Sequence, residues 1–187
     1  IKEITGRDVP VVVDPTLLLT KEKWMAISRE AVSKPKGKYL LTYFLGNVPE
    51  RYRKVIRSIA KSNNLEIVSL GDIKDKNEYR TGPSEFIDYI NSASILCTDS
   101  FHGCVFSILM ETPFIVFDRV GSQSMFSRID TLLNKFGLDS RKIENIKTNI
   151  DVFNVDYSNV SSILEKERTK AIDFLREALN VEDGIKA

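Results

Sequence analysis

Apolar positions along the chain alternate between short continuous runs and stretches with helical spacing, and this alternation is the main structural signal. The continuous runs have the length and composition of strands buried on both faces of a sheet, and they lie at 38–45, 65–70, 94–98 and 113–117. The stretches with helical spacing follow these runs in turn, at 50–62, 84–92, 102–111 and 124–136. Strand and helix in this order predict right-handed βαβ units and an α/β fold: a Rossmann-like parallel sheet flanked by helices.

Two further segments flank this alternating part. In the first, residues 1–35, a short β-branched run at 11–13 predicts a strand, and Thr20 predicts the N-cap of a helix that extends to about Ala31. We interpret this segment as a connection from a preceding N-terminal domain that the sequence lacks, because its first residues resemble the end of another element. Residues 36–150 then form the Rossmann-like domain, which we expect to bind a donor substrate. Residues 151–187 form a C-terminal helical segment, with one long amphipathic helix over about 156–179 and a break near Ser158.

Composition and charge narrow the range of partners. The 187 residues carry 27 Lys and Arg against 26 Asp and Glu, a formal net charge of +1, which argues against a nucleic-acid groove or a membrane-surface patch. No apolar run approaches the roughly 18–20 residues that span a bilayer, so we expect no transmembrane segment. Cys97 and Cys104 have neither the spacing nor the companions of a zinc site, and we expect two buried free thiols in a cytoplasmic protein.

The most informative polar cluster is Asp99-Ser100-Phe101-His102-Gly103, directly after the third predicted strand. Ligands of open parallel sheets bind at the carboxyl ends of the strands, and the N-terminus of a helix attracts anions. At this turn Ser100 offers a hydroxyl, Gly103 lets a ligand approach the backbone, and His102 can exchange a proton near neutral pH. The alternative is structural: Asp99 or Ser100 caps the helix and His102 is a hydrogen-bonded residue at its start.

Other polar groups follow neighbouring strands and are expected at the same edge. Ser127 and Arg128 lie in the helix after the fourth strand, and Arg119 lies in the loop between them. Arginine suits carboxylate or phosphate because its guanidinium donates paired hydrogen bonds, although most arginines are solvated surface residues. Tyr43 and Gly46 end the first strand and are candidates to contact the same ligand, although a turn requires small residues there in any case.

These stretches, taken in order, resemble the polysaccharide pyruvyl transferase family. The resemblance covers about residues 10–141, and the DSFHG block is its most distinctive part. It rests on DPTLLLTKEKW (14–24), KYLLTYFLG (38–46), GPSEFIDYI (82–90), ASILCTDSFHGCVFSILMETPF (93–114) and SRIDTLLNKFGL (127–138).

The resemblance implies a fold like the C-terminal half of a GT-B-like two-domain enzyme and an activity. Enzymes of this family move pyruvate from phosphoenolpyruvate to sugar hydroxyls of bacterial cell-surface polysaccharides, so it implies phosphoenolpyruvate as donor and exopolysaccharide biosynthesis at the cell envelope. It also implies a saccharide acceptor, which can be lipid-linked, and no cofactor or metal. The family histidine matches His102, which would act as the acid, and the family Ser-Arg pair maps onto Ser127 and Arg128. Backbone N–H groups at the turn through Phe101, together with Ser100 and Arg128, would hold the donor. The preceding domain would complete the site, so that this chain alone is expected to be inactive.

Two alternatives remain open. One is a GT-B-type glycosyltransferase, in which the same turn binds the diphosphate of a nucleotide sugar and Glu85 binds the ribose. A glutamate in the first turn of a helix also has an ordinary reason, which is compensation of the helix dipole. The other alternative is a non-catalytic ligand-binding or assembly domain, which predicts that loss of the His102 imidazole leaves activity intact.

Overall fold

The fold was obtained as a computed structural model that describes residues 2–71, 81–120 and 126–181. Four strands and the larger helices alternate as the sequence predicts. In chain order the elements are α1 (Lys2–Thr5), α2 (Lys21–Ile27), β1 (Tyr39–Tyr43), α3 (Glu50–Ser62), β2 (Glu66–Leu70), α4 (Pro83–Ser92), β3 (Ile95–Thr98), α5 (Phe101–Met110), β4 (Phe114–Val116), α6 (Phe126–Phe136), α7 (Asn149–Phe153) and α8 (Val160–Leu179). Short 3₁₀ turns at Pro15–Leu18, Asp139–Arg141 and Ile143–Asn145 complete the described chain.

The four strands form one parallel sheet in the order β2-β1-β3-β4. From β1 the chain moves outward to β2, then returns across β1 to place β3 on its other side. The direction of winding therefore reverses between β1 and β3. In sheets of this type that reversal leaves a crevice at the carboxyl ends of the two strands, which is the usual ligand position.

Side chains alternate between the two faces of the sheet, and both faces are buried. Leu41 and Leu96 belong to a large core cluster with α4, α5, α6 and α8, whereas Leu40 and Ile95 point to a smaller cluster with α3 and α7. All four leucine and isoleucine side chains are fully buried, each contributing about 1.5–3 kcal/mol. Burial on both faces explains why these strands are continuous apolar runs in the sequence.

The N-terminal segment and α8 hold each other against the core. Leu17 is completely buried. The Arg168 guanidinium donates from Nε to the Leu17 carbonyl at 2.7 Å and from Nη2 to the Leu19 carbonyl at 2.8 Å. Val13 and Leu164 lie in the same core cluster as the sheet. Residues from all three predicted segments thus share one core. The boundaries proposed at 35/36 and 150/151 stay predictions about chain organisation.

The predicted elements differ from the structure at a few places. Val11–Val13 do not form a strand: this stretch runs along α8, where the Val11 carbonyl accepts from Lys170 Nζ at 3.5 Å, and has no strand beside it to pair with. The helix capped by Thr20 ends at Ile27, four residues before the predicted Ala31.

Two further differences concern the loops and the C-terminal part. The long helix begins at Val160, because Asp156 accepts a hydrogen bond from the Ser158 N–H and closes a turn before it. Helix α7 and the 3₁₀ turns were not predicted. Most of the predicted loop at 71–82 and the predicted start of α6 at 124 lie outside the described residues. Among the described residues, no helix is both long enough and apolar enough to span a membrane.

Candidate active site

The turn after β3 is built around the carboxylate of Asp99, which is almost completely buried. Its Oδ1 accepts from the Leu45 N–H at 2.7 Å, and its Oδ2 accepts from the Gly46 N–H at 3.1 Å. Arg119, from the loop after β4, donates from Nε to Asp99 Oδ2 and from Nη2 to the Asp99 carbonyl, both at 3.1 Å. Asp99 therefore ties the loops after β1 and β4 to the end of β3.

Gly46 is required for this arrangement by close approach. A Cβ at this position would lie 2.8 Å from Arg119 Cγ and 3.2 Å from Asp99 Oδ2. Asn47 and Val120 also form an isolated antiparallel bridge across the end of β3. The crevice expected between β1 and β3 is thus occupied at this level by the protein's own side chains and loops.

The predicted binding residue Tyr43 packs within this edge. It is half-buried, with its ring at 5.0 Å from that of Phe86. Burial raises the pKa of the Tyr43 phenol, and the nearby Asp99 carboxylate adds to the increase. A role of Tyr43 and Gly46 in binding a substrate stays a prediction.

Ser100 and Gly103 have structural functions in the same turn. Ser100 is the N-cap of α5, and its Oγ accepts from the Gly103 N–H at 3.3 Å. Under Gly103 lies Thr98, whose Oγ1 would be 2.6 Å from a Cβ at that position. Thr98 Oγ1 itself donates to the Tyr43 carbonyl at 2.6 Å and accepts from the Ser100 N–H at 3.0 Å. The substrate contacts predicted for Ser100 and Gly103 are not needed to explain either residue.

His102 lies on the outer side of the first turn of α5 and forms the reactive part of the candidate site. Its side chain is 52% exposed, and its Nε2 lies 3.7 Å from Asp14 Oδ2. The same carboxylate oxygen lies 3.7 Å from Nη2 of Arg128, whose side chain is 49% exposed. The structure therefore brings together His102 and Arg128, two of the predicted site residues, through an acidic residue that sequence reasoning did not assign to the site.

Arg128 is oriented by an aromatic ring as well as by charge. Its guanidinium carbon lies 4.2 Å above the ring centre of Phe101, a cation–π contact, and the Phe101 ring meets the His102 ring edge-on at 5.5 Å. Phe101 is thus placed at the site as predicted, although contact with a substrate remains a prediction.

A cleft of about 430 Å³ opens beside these residues. Its walls are the extended chain from Val11 to Pro15 and the outer face of α6, including the predicted residues Ser127 and Arg128. Ser127 is exposed, and its carbonyl accepts from Thr131 Oγ1 at 2.7 Å; contact of its hydroxyl with a ligand stays a prediction. Phe101, Leu17 and Leu132 provide apolar surface at the bottom of the cleft. A small polar substrate held at Arg128 would therefore lie against an apolar wall.

Asp14 is held rigidly by a turn of its own. Its Oδ1 accepts from the Thr16 N–H at 3.0 Å and from Thr16 Oγ1 at 2.7 Å, and the turn is covered by Trp24, whose Nε1 donates to the Thr16 carbonyl at 2.9 Å. Burial alone raises the pKa of Asp14, but the hydrogen bonds from Thr16 and the charges of His102 and Arg128 outweigh it. The pKa of Asp14 therefore lies below its ordinary value, and the carboxylate is ionised at neutral pH.

The start of α5 offers two donors to an anion. The Ser100 side chain accepts a hydrogen bond from the Gly103 N–H, and the Ser100 carbonyl accepts one from the Cys104 N–H. The N–H groups of Phe101 and His102 have no acceptor among the described residues. Free N–H groups at a helix N-terminus, with Arg128 nearby, are suited to a carboxylate or a phosphate.

The remaining candidates lie apart from this cluster. Glu85 is in the first turn of α4, folded back towards Gly82. Cys97 and Cys104 are free and buried as expected, and burial raises the pKa of both thiols. No group of acidic, histidine or cysteine residues suited to a metal occurs in the described part of the chain.

From the sequence alone, Asp14 could have been recognised as a capping residue but not as a residue of the site. Asp-Pro-Thr is a typical start of a short helical turn, because aspartate accepts from the N–H two residues on and proline fits the first helical position. Its proximity to His102 depends on how the N-terminal segment packs on α5 and α6, which no local pattern encodes.

Comparisons with known proteins define first the fold and then the family. The structure is similar to a crystal structure described as the glycotransferase of kitacinnamycin, with a TM-score of 0.51 and 15% sequence identity over 80% of this chain and 46% of that one. This chain thus spans less than half of that protein. The likeness confirms the predicted fold class: an α/β domain with a parallel sheet flanked by helices, resembling part of a GT-B-like fold.

The family is shown by sequence. The model of the polysaccharide pyruvyl transferase family matches residues 1–120, and the chain belongs to this family, as its resemblance predicted. No curated protein matches the sequence. The matched range includes Asp14 and His102 but ends before Arg128, so the family match does not cover the whole candidate site.

Proposed function

We propose that this chain is the donor-binding part of an enzyme that transfers pyruvate from phosphoenolpyruvate to hydroxyl groups of a saccharide, with the donor bound at the start of α5. Family membership supports a polysaccharide pyruvyl transferase domain. The observation that carries the proposal is the position of His102: an exposed imidazole at a helix N-terminus with free N–H groups, joined through Asp14 to Arg128 at the mouth of a cleft.

In the proposed reaction, the N–H groups of Phe101 and His102 and the guanidinium of Arg128 bind the carboxylate or the phosphate of phosphoenolpyruvate. His102 donates a proton to the methylene carbon, which becomes the methyl group of the product. The cationic centre at the neighbouring carbon is attacked by a sugar hydroxyl, which loses its proton to a base. Phosphate then leaves with its bonding electrons. A second sugar hydroxyl attacks the same carbon, loses its proton to a base and closes the ketal.

The base and most of the acceptor site are proposed to come from another domain of the protein. Catalysis of this kind requires that both reactants are positioned and water is excluded, and the cleft beside Arg128 is open on one side. This is also why the chain is proposed to be inactive by itself. Because phosphoenolpyruvate is an intracellular metabolite, the proposal places the reaction on the cytoplasmic side of the membrane, with a saccharide or lipid-linked saccharide of the cell envelope as acceptor.

Donor binding is tested by ligand-observed NMR with phosphoenolpyruvate, inorganic phosphate, UDP and UDP-sugars. We expect saturable binding of phosphoenolpyruvate that exceeds that of phosphate and is weakened at least about tenfold by Arg128→Ala, since a charge-assisted bidentate contact is worth about 1.5–3 kcal/mol. Arg57→Ala is the matched control, because Arg57 is a similarly exposed arginine on α3, on the other side of the sheet. Preference for UDP compounds would instead support the glycosyltransferase alternative.

The role of His102 is tested by transfer in the complete enzyme, measured as phosphate released in the presence of acceptor. A general acid contributes about 10²–10⁴-fold, so His102→Ala is expected to reduce kcat by that factor while donor binding changes little. Unchanged turnover in His102→Ala would contradict the proposal and favour a non-catalytic ligand-binding domain.

A further inference from the structure

Asp14 is the one carboxylate among the described residues that contacts both His102 and Arg128. We propose that Asp14 is a positioning residue: it fixes the imidazole of His102 and the guanidinium of Arg128 relative to each other. This inference rests on the proposed function, in which His102 is the acid and Arg128 binds the donor.

The two oxygens of Asp14 have separate tasks in the structure. Oδ1 is held by the N–H and the hydroxyl of Thr16, which fixes the plane of the carboxylate. Oδ2 then lies 3.7 Å from His102 Nε2 and 3.7 Å from Arg128 Nη2. The Asp14 side chain is 15% exposed, whereas those of His102 and Arg128 are 52% and 49% exposed. A largely buried, hydrogen-bonded carboxylate therefore orients two more exposed side chains.

This arrangement is directional for His102. Because Nε2 faces Asp14, the other ring nitrogen, Nδ1, is left for a proton transfer to the donor. It has no hydrogen-bond partner in the described ranges. In triads of acid, histidine and reacting group, a carboxylate on one nitrogen in the same way selects the tautomer and stabilises the imidazolium.

The other charged groups near His102 do not provide this orientation. Helix α5, from Phe101 to Met110, contains no other charged side chain, and its N-terminal dipole disfavours a cation. The neighbouring Asp99 carboxylate is already bound to Arg119 and two backbone N–H groups. Arg128 on α6 adds a second positive charge. Asp14 on the N-terminal segment is thus the carboxylate that faces both His102 and Arg128.

The variant Asp14→Asn distinguishes a positioning role of Asp14 from a purely structural one. The amide oxygen of asparagine can accept the same two hydrogen bonds from Thr16, and asparagine caps helical turns as well as aspartate does, so the turn is preserved while the charge is lost. In the complete enzyme we expect kcat/KM for phosphoenolpyruvate to fall about 10–100-fold, the range found for residues that orient metal-bound histidines. Most of the loss should be in kcat, and Asp14→Glu should restore part of it.

Two readouts distinguish this proposal from a failure of the proposed function. His102 is the single histidine of the sequence, so its ring signals are identified directly in NMR spectra of the protein without acceptor. When the imidazole is neutral, the ring-nitrogen signals of the wild type should show the proton on Nε2, which faces Asp14. In Asp14→Asn they should show a mixture of both tautomers, and kcat should fall in the same variant. Asp8→Asn, which changes a carboxylate that is 84% exposed and paired with Lys2, should alter neither.

A tautomer preference and a kcat that are both unchanged in Asp14→Asn, with the fold intact by circular dichroism, would overturn the proposal. Asp14→Ser, which also keeps a capping oxygen, provides the same test if the asparagine variant does not fold. If the tautomer preference is lost in Asp14→Asn but no variant, including the wild type, transfers pyruvate, Asp14 positions His102 as inferred and the proposed reaction is wrong.

Discussion

Substitution of Gly103 by alanine is expected to destabilise the protein, although Gly103 lies in a helix and alanine is the better helix former. The structure gives the reason: α5 packs so closely on β3 that an added Cβ would lie 2.6 Å from Thr98 Oγ1 and 3.2 Å from its methyl carbon. Thr98 is completely buried and cannot turn away without losing its hydrogen bonds to the Tyr43 carbonyl and the Ser100 N–H.

The magnitude follows from three contributions. Overpacking of a filled core costs about 1–3 kcal/mol. Weakening the two hydrogen bonds of Thr98 costs about 0.5–1.5 kcal/mol each, and exchanging glycine for alanine in a helix returns about 1 kcal/mol. We therefore expect Gly103→Ala to lower the free energy of unfolding by about 1–5 kcal/mol, measured by chemical denaturation.

Matched variants show whether the contact with Thr98 is the cause. Gly37→Ala is the control, because nothing lies within 4 Å of its added Cβ and its stability should change by less than about 1 kcal/mol. In Gly103→Ala/Thr98→Ala the clash is removed, so the double variant should lose clearly less than the sum of the single ones. A stable Gly103→Ala protein would refute the packing argument and return Gly103 to a role in ligand approach.

Two further predictions concern carboxylates at the same edge of the sheet. Asp99→Asn should cost about 1–3 kcal/mol of unfolding free energy, because one acceptor is lost and Arg119 is left without its charge partner. The loop that contains Gly46 should also loosen, which is measured as faster hydrogen exchange at the Gly46 amide. Unchanged exchange would show that other interactions hold the loop. Burial, together with the nearby Glu144 and Asp130 carboxylates, raises the pKa of Asp118, so its ionised form opposes folding. Asp118→Asn should therefore raise the unfolding free energy at pH 7 by less than about 1 kcal/mol. This difference should vanish as the pH falls below the pKa of an unfolded aspartate. Denaturation at several pH values checks the sign, and a destabilised variant at pH 7 would contradict it.

The fold was predictable because its signals are local and repeat. Helix α3 has the predicted bounds, since Tyr52, Ile56 and Ile59 recur on one face and a proline precedes it. At Val11–Val13 the same reasoning was wrong, because β-branched residues indicate extended chain, but only a neighbouring strand makes a sheet. The candidate site could be predicted only in part, because local patterns do not encode contacts between distant segments. His102 lies in a short recognisable block, whereas its contact with Asp14 depends on tertiary packing.

The position of the site follows from how the edge between β1 and β3 is filled. In an open parallel sheet this edge is the expected place for a ligand, but here Asp99 draws both adjoining loops inward and Arg119 covers the carboxylate. The N–H groups of Phe101 and His102, which have no acceptor among the described residues, lie at the start of α5, where the exposed His102 side chain projects. On that side the N-terminal segment supplies Asp14 and α6 supplies Arg128. Under the proposed function, a donor would therefore bind on the His102 side of α5, and loosening the Asp99 network should impair donor binding by disturbing the turn before this helix.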